Sequence, residues 1–338
     1  MNELVCRPQK IAVILGGGGF VGAFMVGVLK ALVRLGIPFH KIICVSVGSI
    51  IGAGFVENGN KTDKAEEAFY SIQKPKDIFP YSFKGMIWRA LKTAPKLEYL
   101  LLWRLSKRVT RAVMNIESIY SPEGLVKLIA KNLDARKIVA SPQELIVTTT
   151  SIRKVNGRWH KSVLFVSNHD AEFIADPVSF LFYIYGSCAI PGALPKIRVA
   201  RGGEYIWLED GAYSQPLPIL KAIEKLGCDT VIVIKCHSDK LAALLTHKAF
   251  QELAEGASTQ TARREKEEIR AARRLYPDKN IFVLEPDEIP ATVRATAFQP
   301  GDFEKLIFAG DKVATAIFGP IAEHFNPGAD QPSAKDIS

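Results

Sequence analysis

Short apolar runs rich in β-branched residues alternate along the chain with longer stretches of helical pattern. The runs are IAVIL at 11–15, KIICVS at 41–46, ELIVTTTSI at 144–152, SVLFVS at 162–167, DTVIVIK at 229–235 and NIFVLEP at 280–286. Continuously apolar strands separated by helices predict a mostly parallel sheet that is covered on both faces. The expected fold class is therefore α/β, a doubly wound sheet with helices on both faces in three layers.

Helical patterns fill much of the chain between these runs. Residues 22–35 have the apolar spacing of a helix that packs on a sheet, and Gly36 predicts its end. Residues 240–276 are rich in alanine and in charges of both signs, which predicts a helix with a solvated face. We expect one domain over 1–325 and a flexible tail over 326–338.

Composition and charge narrow the class of partner. The chain has 338 residues, of which 48% are hydrophobic, and this is enough for the core of one large α/β domain. A formal net charge of +9 favours an anionic partner, either nucleic acid or an acidic membrane surface. Between Lys84 and Arg111, eight basic residues are opposed by Glu98 alone. Most of the excess charge is therefore in one segment.

The cysteines and the N-terminus indicate the compartment. The five cysteines are odd in number and widely spaced, so they form neither a visible disulfide framework nor a CxxC metal site. Arg7 and Lys10 before an apolar run imitate a signal peptide. Four consecutive glycines, followed by Lys30 and Arg34, argue against a segment that spans a bilayer. We expect a cytoplasmic protein without a cleaved leader.

Residues 17–22 read GGGFVG, a GxGxxG pattern between a predicted strand and a predicted helix. One interpretation is a dinucleotide-binding loop, which also requires an Asp or Glu about 20 residues further on. Residues 23–56 contain no acidic residue, which disfavours this interpretation. The other interpretation is an oxyanion hole, because amides that converge at a helix N-terminus stabilise developing negative charge. Its candidate donors are Gly17, Gly18 and Gly19.

Ser46 lies where the second predicted strand ends, and a helix is expected to start near Ser49. The surrounding CVSVG is close to the GxSxG pattern of a nucleophile elbow, in which Gly48 fits and Cys44 replaces the first glycine. In a doubly wound sheet the loops after the first two strands open into one crevice. The glycine loop and the hydroxyl of Ser46 would then face the same carbonyl group.

A serine hydroxyl needs a base to take its proton, and two candidates follow from the residues. His324, with Asp210 before it, reproduces the chain order Ser, Asp, His of the α/β-hydrolases. Asp210 acting directly is the other candidate, because it stands at a turn in WLEDGAYSQPLP. A carboxylate base would need an apolar, partly dry pocket that raises its proton affinity. The residues alone leave both candidates open.

Four motifs occur in order: LGGGGFVGAFMVGVLKAL at 15–32, VSVGSIIGA at 45–53, GSCAIPGALP at 186–195 and YIWLEDGAYSQPLP at 205–218. In order and spacing they resemble the patatin-like phospholipase family. The resemblance implies a lipid acyl hydrolase with Ser46 as nucleophile, Asp210 as base and the amides of Gly17, Gly18 and Gly19 as oxyanion donors. It implies no catalytic histidine, metal or cofactor. The residues that complete the motifs are Gly22, Cys44, Gly48 and Gly211.

Three positions depart from the family pattern. Cys44 replaces the first glycine of the serine motif, and Val21 stands where the glycine loop usually has a basic residue. Gln215 and Pro216 replace the asparagine that commonly follows the aspartate motif. No departure removes a catalytic group, so we expect a hydrolase of phospholipid or lysophospholipid. The alternative is a catalytically weak or inactive lipid-binding or regulatory protein with the same fold.

The basic segment has its own expectation. Residues 95–114 place an apolar stripe beside a cluster of basic residues at helical spacing, with Trp103 at its edge. Such a helix suits docking on an anionic bilayer, and a lid or core helix with solvated arginines is the alternative. We expect a basic helical insertion or lid at about 80–115 and peripheral membrane association through Lys84–Arg111. Nucleic acid is not expected, because no aromatic stacking pattern accompanies the charges.

Overall fold

A computed structural model describes residues 10–82, 118–237, 251–294 and 296–325. The expected insertion lies outside the described residues from residue 83 onward, and the expected tail at 326–338 lies outside them entirely. What the sequence predicts for these two segments stays a prediction.

The described residues form an eight-stranded sheet. Its strands are β1 (Ile11–Leu15), β2 (Lys41–Val45), β3 (Glu144–Val155), β4 (Arg158–Ser167), β5 (Ile197–Arg201), β6 (Glu204–Asp210), β7 (Thr230–Ile234) and β8 (Asn280–Leu284). The order is β5-β6-β3-β2-β1-β7-β8, and β4 also pairs with β3. The strands from β3 to β8 in this order are parallel, whereas β4, β5 and β6 join by antiparallel pairings. The prediction of a mostly parallel α/β sheet is confirmed, although β5 and β6 are missing from the predicted strands because polar residues interrupt their patterns.

Helices connect the strands. They are α1 (Ala23–Arg34), α2 (Val47–Glu57), α3 (Asp63–Ser71), α4 (Glu123–Asn132), α5 (Ala135–Ala140), α6 (Ala171–Ala175), α7 (Pro177–Ser187), α8 (Gln251–Leu275), α9 (Asp302–Phe318) and α10 (Ala322–Phe325). The helix predicted at 22–35 is confirmed as α1. The helix predicted to start near Ser49 is found as α2, which begins two residues earlier because the chain turns sharply at Ser46.

Two hydrophobic cores lie on opposite faces of the sheet. Along β1, Val13 and Leu15 pack in a large core with α1, α2, α7 and α9. Ala12 and Ile14, which alternate with them, pack in a second core with residues of the 217–228 segment and α8. Strands that are buried on both faces are apolar without alternation. This explains why the apolar runs located the parallel strands, and it establishes the three-layer arrangement.

The charged helix α8 is not solvated on all sides. Ile269 and Ala272 lie in the second core, and Glu265 is fully buried. Charged neighbours in the sequence obscure this narrow apolar stripe, so the prediction of a solvated face describes only the other side of the helix.

Direct backbone contact holds α1 against α9. A Cβ atom on Gly27 would lie 1.8 Å from the carbonyl oxygen of Ile307, and one on Gly310 would lie 2.1 Å from that of Phe24. The helices therefore pack without intervening side chains at this crossing. Because α1 follows the glycine loop directly, the contact also holds the loop in place.

Alanine at either crossing glycine should destabilise the fold. We expect Gly27→Ala and Gly310→Ala each to lower the free energy of unfolding by about 1–3 kcal/mol, because the new methyl group must force the backbones apart. Gly54→Ala is the matched control. Gly54 also lies inside a helix, α2, and its new Cβ would meet the side chain of Leu133 at 3.7 Å, an ordinary van der Waals distance. Urea unfolding measures all three; equal losses in the crossing and control variants would contradict the close contact.

Candidate active site

The ends of β2 and β6 meet along one edge of β3. β4 pairs with the opposite edge of β3 over residues 146–155, so β2 and β6 share the remaining edge. Val45, at the end of β2, pairs with Thr148, and Asp210, at the end of β6, pairs with Thr149. Because β2 is parallel to β3 and β6 is antiparallel to it, the two strands run toward each other and stop at neighbouring registers. This geometry brings Asp210 beside Ser46.

Ser46 and Asp210 are joined by a short hydrogen bond. Ser46 Oγ donates to Asp210 Oδ2 at 2.6 Å, although 164 positions separate the two residues in the sequence. Their exposed fractions are 6% and 3%, so water has little access to the pair. The arrangement is a buried hydroxyl whose proton already points at a carboxylate.

Ser46 adopts the strained turn of a nucleophile elbow. Its backbone has φ 55° and ψ −130°, between the last residue of β2 and the first of α2, a conformation that a residue with a Cβ atom rarely adopts. A Cβ on Gly48 would lie 2.4 Å from the carbonyl oxygen of Leu15, so this position requires glycine. The turn leaves α2 close to the end of β1 and places the hydroxyl within hydrogen-bond distance of Asp210.

A buried serine that the sequence analysis did not single out supports the elbow. Ser187, at the end of α7, accepts the backbone N–H of Ser46 at 2.9 Å and donates to the carbonyl of Thr148 at 2.7 Å. Its Oγ also lies 2.9 Å from that of Ser49. Ser187 stands in the motif GSCAIPGALP, and this motif is the sequence feature from which its role could have been predicted. It ties the strained turn to β3.

A second glycine accommodates Cys44 in the serine motif. The side chain of Cys44 is fully buried, and a Cβ on Gly52 would lie 2.5 Å from its sulfur. The missing side chain at Gly52 therefore makes the room that the sulfur occupies. Burial also raises the pKa of the Cys44 thiol well above its usual value, so it stays neutral.

Asp210 is held at both carboxylate oxygens and through its backbone. Oδ1 accepts the N–H of Ala212 at 2.9 Å, and the backbone N–H donates to Ala189 at 3.0 Å. A Cβ on Gly211 would lie 2.3 Å from the carbonyl oxygen of Thr148, so the chain passes β3 closely here. Burial raises the pKa of Asp210 to about 6, although the hydrogen bonds from Ser46 and Ala212 act to lower it.

The glycine loop lies against Ser46. A Cβ on Gly17 would be 3.2 Å from Ser46 Cβ and 3.8 Å from its Oγ, and a Cβ on Gly18 would be 2.2 Å from that of Cys236. Gly18 and Gly19 have positive φ values of 154° and 57°. Among the described residues, the N–H groups of Gly17, Gly18 and Gly19 have no hydrogen-bond acceptor. These amides are available to a ligand.

Two further positions of the loop are packed against their surroundings. A Cβ on Gly22 would lie 2.9 Å from the side chain of Val47, next to Ser46. Val21, which replaces the basic residue of the family pattern, is 7% exposed and belongs to the large core. The loop here is anchored by apolar packing.

An apolar cavity opens beside Ser46. It has about 830 Å³ of empty space, including its open part, and is bounded by α2, α3, α4 and the adjoining loops. Its apolar lining includes Phe20, Ile50, Phe69, Ile78, Leu125 and Leu194. Sequence analysis missed these residues because their periodicity is that of ordinary core positions. A cavity of this character suits a hydrocarbon chain.

His324 is not the partner of Ser46. It is exposed on α10, whereas the hydroxyl of Ser46 donates to Asp210. The structure therefore brings together the serine, the aspartate and the glycine loop, and leaves the histidine out.

The described part of the chain has neither a membrane-spanning helix nor a cluster of metal-binding side chains. No helix there has the length and apolar character needed to cross a membrane. Within the same residues, His, Cys, Asp and Glu side chains form no group of three or more that could hold a metal ion.

The burial of Asp210 should appear in the pH dependence of stability. Its pKa is about 6 in the folded protein and near 3.8 in the unfolded chain. Between these values the folded state keeps a proton that the unfolded state has released, so the stability falls as pH rises through this window. Above about pH 6 the full penalty is on the order of 3 kcal/mol. We expect Asp210→Asn to raise the free energy of unfolding at pH 7–8 and to lose this advantage near pH 4.

Asp229→Asn provides a control of opposite sign. A hydrogen bond from Lys279 lowers the pKa of Asp229, so its contribution to stability is present above its unfolded pKa and disappears on acidification. This variant should be less stable than the original protein at neutral pH. Urea unfolding from pH 4 to 8 measures both, and a pH-independent effect of Asp210→Asn would contradict the raised pKa.

The region of this chain that contains the site is similar to known proteins. The family model described as Patatin-like phospholipase matches residues 13–223. The mouse (Mus musculus) protein "Patatin-like phospholipase domain-containing protein 7" is 47% identical over 226 residues, which are 67% of this chain and 13% of that protein. "Lysophospholipase NTE1" of Cryptococcus neoformans var. neoformans is 31% identical over 118 residues, 34% of this chain and 7% of that protein. This chain thus spans only a small part of these relatives' length.

A more distant similarity is found among solved structures. VipD from Legionella pneumophila aligns with 93% of this chain and 67% of its own, with a TM-score of 0.41 and 14% sequence identity. A similarity this loose supports no argument about the site.

Proposed function

The chain belongs to the patatin-like phospholipase family, and on this premise we propose that it is a lipid acyl hydrolase that cleaves a carboxylic ester of a phospholipid or lysophospholipid. The observation that carries the proposal is the 2.6 Å hydrogen bond from Ser46 Oγ to Asp210 Oδ2 in a buried site beside an apolar cavity. The name lysophospholipase of the Cryptococcus relative supports this class of substrate.

In the first half of the reaction, Ser46 Oγ attacks the ester carbonyl. Its proton passes to Asp210 Oδ2 along the existing hydrogen bond as the Oγ–C bond forms. When the tetrahedral intermediate collapses, the bond to the alcohol oxygen breaks and Asp210 returns the proton to that oxygen. The lipid alcohol leaves, and the acyl group stays on Ser46.

In the second half, water cleaves the acyl-enzyme. Asp210 takes a proton from the water, the hydroxide adds to the acyl carbonyl, and the Oγ–C bond breaks. The proton returns to Ser46 Oγ and a fatty acid is released. Because the pKa of Asp210 is about 6, the carboxylate is ionised at neutral pH, yet binds a proton more strongly than an ordinary aspartate does. The burial of Asp210 thus supports its role as the base without a histidine.

The glycine loop would stabilise the charge that develops on the carbonyl oxygen. The N–H groups of Gly17, Gly18 and Gly19 have no acceptor among the described residues, and the loop lies against Ser46. Amides that are already fixed in position need no rearrangement when the charge appears. We assign these three amides as the oxyanion donors.

Removing either member of the pair should abolish the activity. We expect Ser46→Ala and Asp210→Asn each to lower the release of fatty acid from phospholipid vesicles by about 10³-fold or more. His324→Ala should keep the activity, because the exposed histidine takes no part in the proton transfer. Fluorophosphonate labelling should modify the original protein and not Ser46→Ala. A folded protein that binds vesicles but neither labels nor releases fatty acid would indicate the inactive lipid-binding alternative instead.

The apolar cavity should set the tolerated length of the acyl chain. Gly54 lines it about 12 Å along α2 from Ser46. We expect Gly54→Leu to reduce kcat/KM for long-chain esters by tenfold or more, because its side chain fills the distal part of the cavity, while short-chain esters remain substrates. Gly54→Ala should alter the profile little. An equal loss for both chain lengths would contradict this assignment of the cavity.

A further inference from the structure

The antiparallel part of the sheet carries aromatic and basic side chains on one face. In the ladders, Ile152 pairs with both Lys161 and Trp207, Trp207 pairs with Arg198, and Lys154 pairs with Trp159. Directly paired residues lie on the same face of a sheet. The outer sheet face is defined here by Trp159, Lys161, Lys196, Arg198, Tyr205 and Trp207.

On β5 and β6 this face is open to solvent, whereas the opposite face is buried. At Trp159, beyond the end of β6, both faces of the β3–β4 hairpin are exposed. The exposed fractions of Trp159 and Tyr205 are 62% and 65%, which is unusual for large aromatic residues. On β6, Ile206 and Leu208 alternate with Tyr205 and Trp207 and are buried. Gly186 of α7 packs closely on Leu208. The sheet is therefore covered on one side only at this place, and the exposed rings are not part of a core.

Cations lie over the exposed rings. The guanidinium of Arg198 is 4.0 Å from the ring centroid of Tyr205, and Nζ of Lys196 is 5.2 Å from that of Trp207. Lys161 forms an ion pair at 2.7 Å with Glu209, the acidic residue of this face. Glu204 pairs with Arg201 and therefore lies on the opposite face of the sheet. Positive charge therefore exceeds negative charge on the outer sheet face.

The outer sheet face reaches the loop that follows Asp210. Glu209 directly precedes Asp210, and the Nζ of Lys161 lies 5.9 Å from the ring centroid of Tyr213, three residues after it. The ring of Tyr213 is itself 41% exposed. A lipid surface in contact with this face would thus lie next to the loop that follows the proposed base.

We propose that the outer sheet face docks this protein on an anionic lipid surface. Trp and Tyr rings favour the boundary between acyl chains and headgroups, and Lys and Arg are attracted to anionic headgroups while their stems cover apolar surface. The face supplies both kinds of side chain next to the active site. The proposal rests on the proposed function for its purpose, because docking there would hold the loop that follows Asp210 at the lipid surface.

The arrangement of the cations favours a membrane over single-stranded nucleic acid. Bases bind such surfaces by stacking on free aromatic faces. Here a cation already lies over one face of each of the rings of Tyr205 and Trp207. A bilayer needs no free ring face, because the rings enter its boundary and the cations remain at headgroup level.

Vesicle binding by the full chain tests the proposal. The Ser46→Ala background prevents turnover, so binding is measured without hydrolysis. Co-sedimentation compares vesicles of phosphatidylcholine alone with vesicles that also contain phosphatidylserine. We expect Lys196→Gln/Arg198→Gln to weaken binding to the anionic vesicles by about tenfold or more, and Trp159→Ala/Tyr205→Ala to weaken binding to both kinds.

The matched control removes two charges from another surface. Arg270 and Arg274 are exposed on α8, and Arg270→Gln/Arg274→Gln should bind like the Ser46→Ala protein. Thermal unfolding checks that all variants are folded. Unchanged vesicle binding of the outer-face variants, or an equal loss in the α8 control, would overturn the proposal. Fluorophosphonate labelling of the original protein tests the proposed function separately, so each idea fails on its own measurement.

Discussion

The geometry of the site depends on two strands that end head-on beside a third. β2 reaches this point parallel to β3 and β6 reaches it antiparallel, and their last pairings fall on Thr148 and Thr149. Backbone hydrogen bonds fix this register, and a slip of one residue would turn the side chain of Asp210 to the other face of the sheet. The contact between Ser46 and Asp210 is therefore set by the sheet itself and needs no induced movement of a loop.

Two unfavourable local states are maintained by the surrounding structure. Ser46 has a backbone conformation that is strained for any residue except glycine, and the carboxylate of Asp210 is removed from water. Ser187 ties the strained turn to β3, and Ala212 donates a hydrogen bond to the carboxylate. Packing of α1 on α9 and of both cores offsets these costs. The strained turn is also what places the proposed nucleophile at the end of the strand, and desolvation is what makes the proposed base more basic.

An amphiphilic lipid has an apolar part and a polar part, and the surroundings of Ser46 and Asp210 suit each of them on a different side. On one side lies the apolar cavity between α2, α3 and α4, which excludes water and suits an acyl chain. On the other side, Tyr213 leads from the aspartate loop to the outer sheet face, where cations lie over aromatic rings. The proposed cleavage point, the ester, is the junction between the apolar and polar parts of such a lipid.

The parallel strands, helix α1, the glycine loop and the turn at Ser46 follow from the sequence, because burial on both faces and local backbone strain leave continuous apolar runs and glycines at fixed offsets. The sequence left His324 and Asp210 as alternative partners of Ser46, and it did not distinguish cavity residues from ordinary core. Both points depend on how the chain folds in three dimensions. A partner 164 positions away depends on strand register, and a cavity depends on how helices pack, and neither property leaves a periodic signal in the chain.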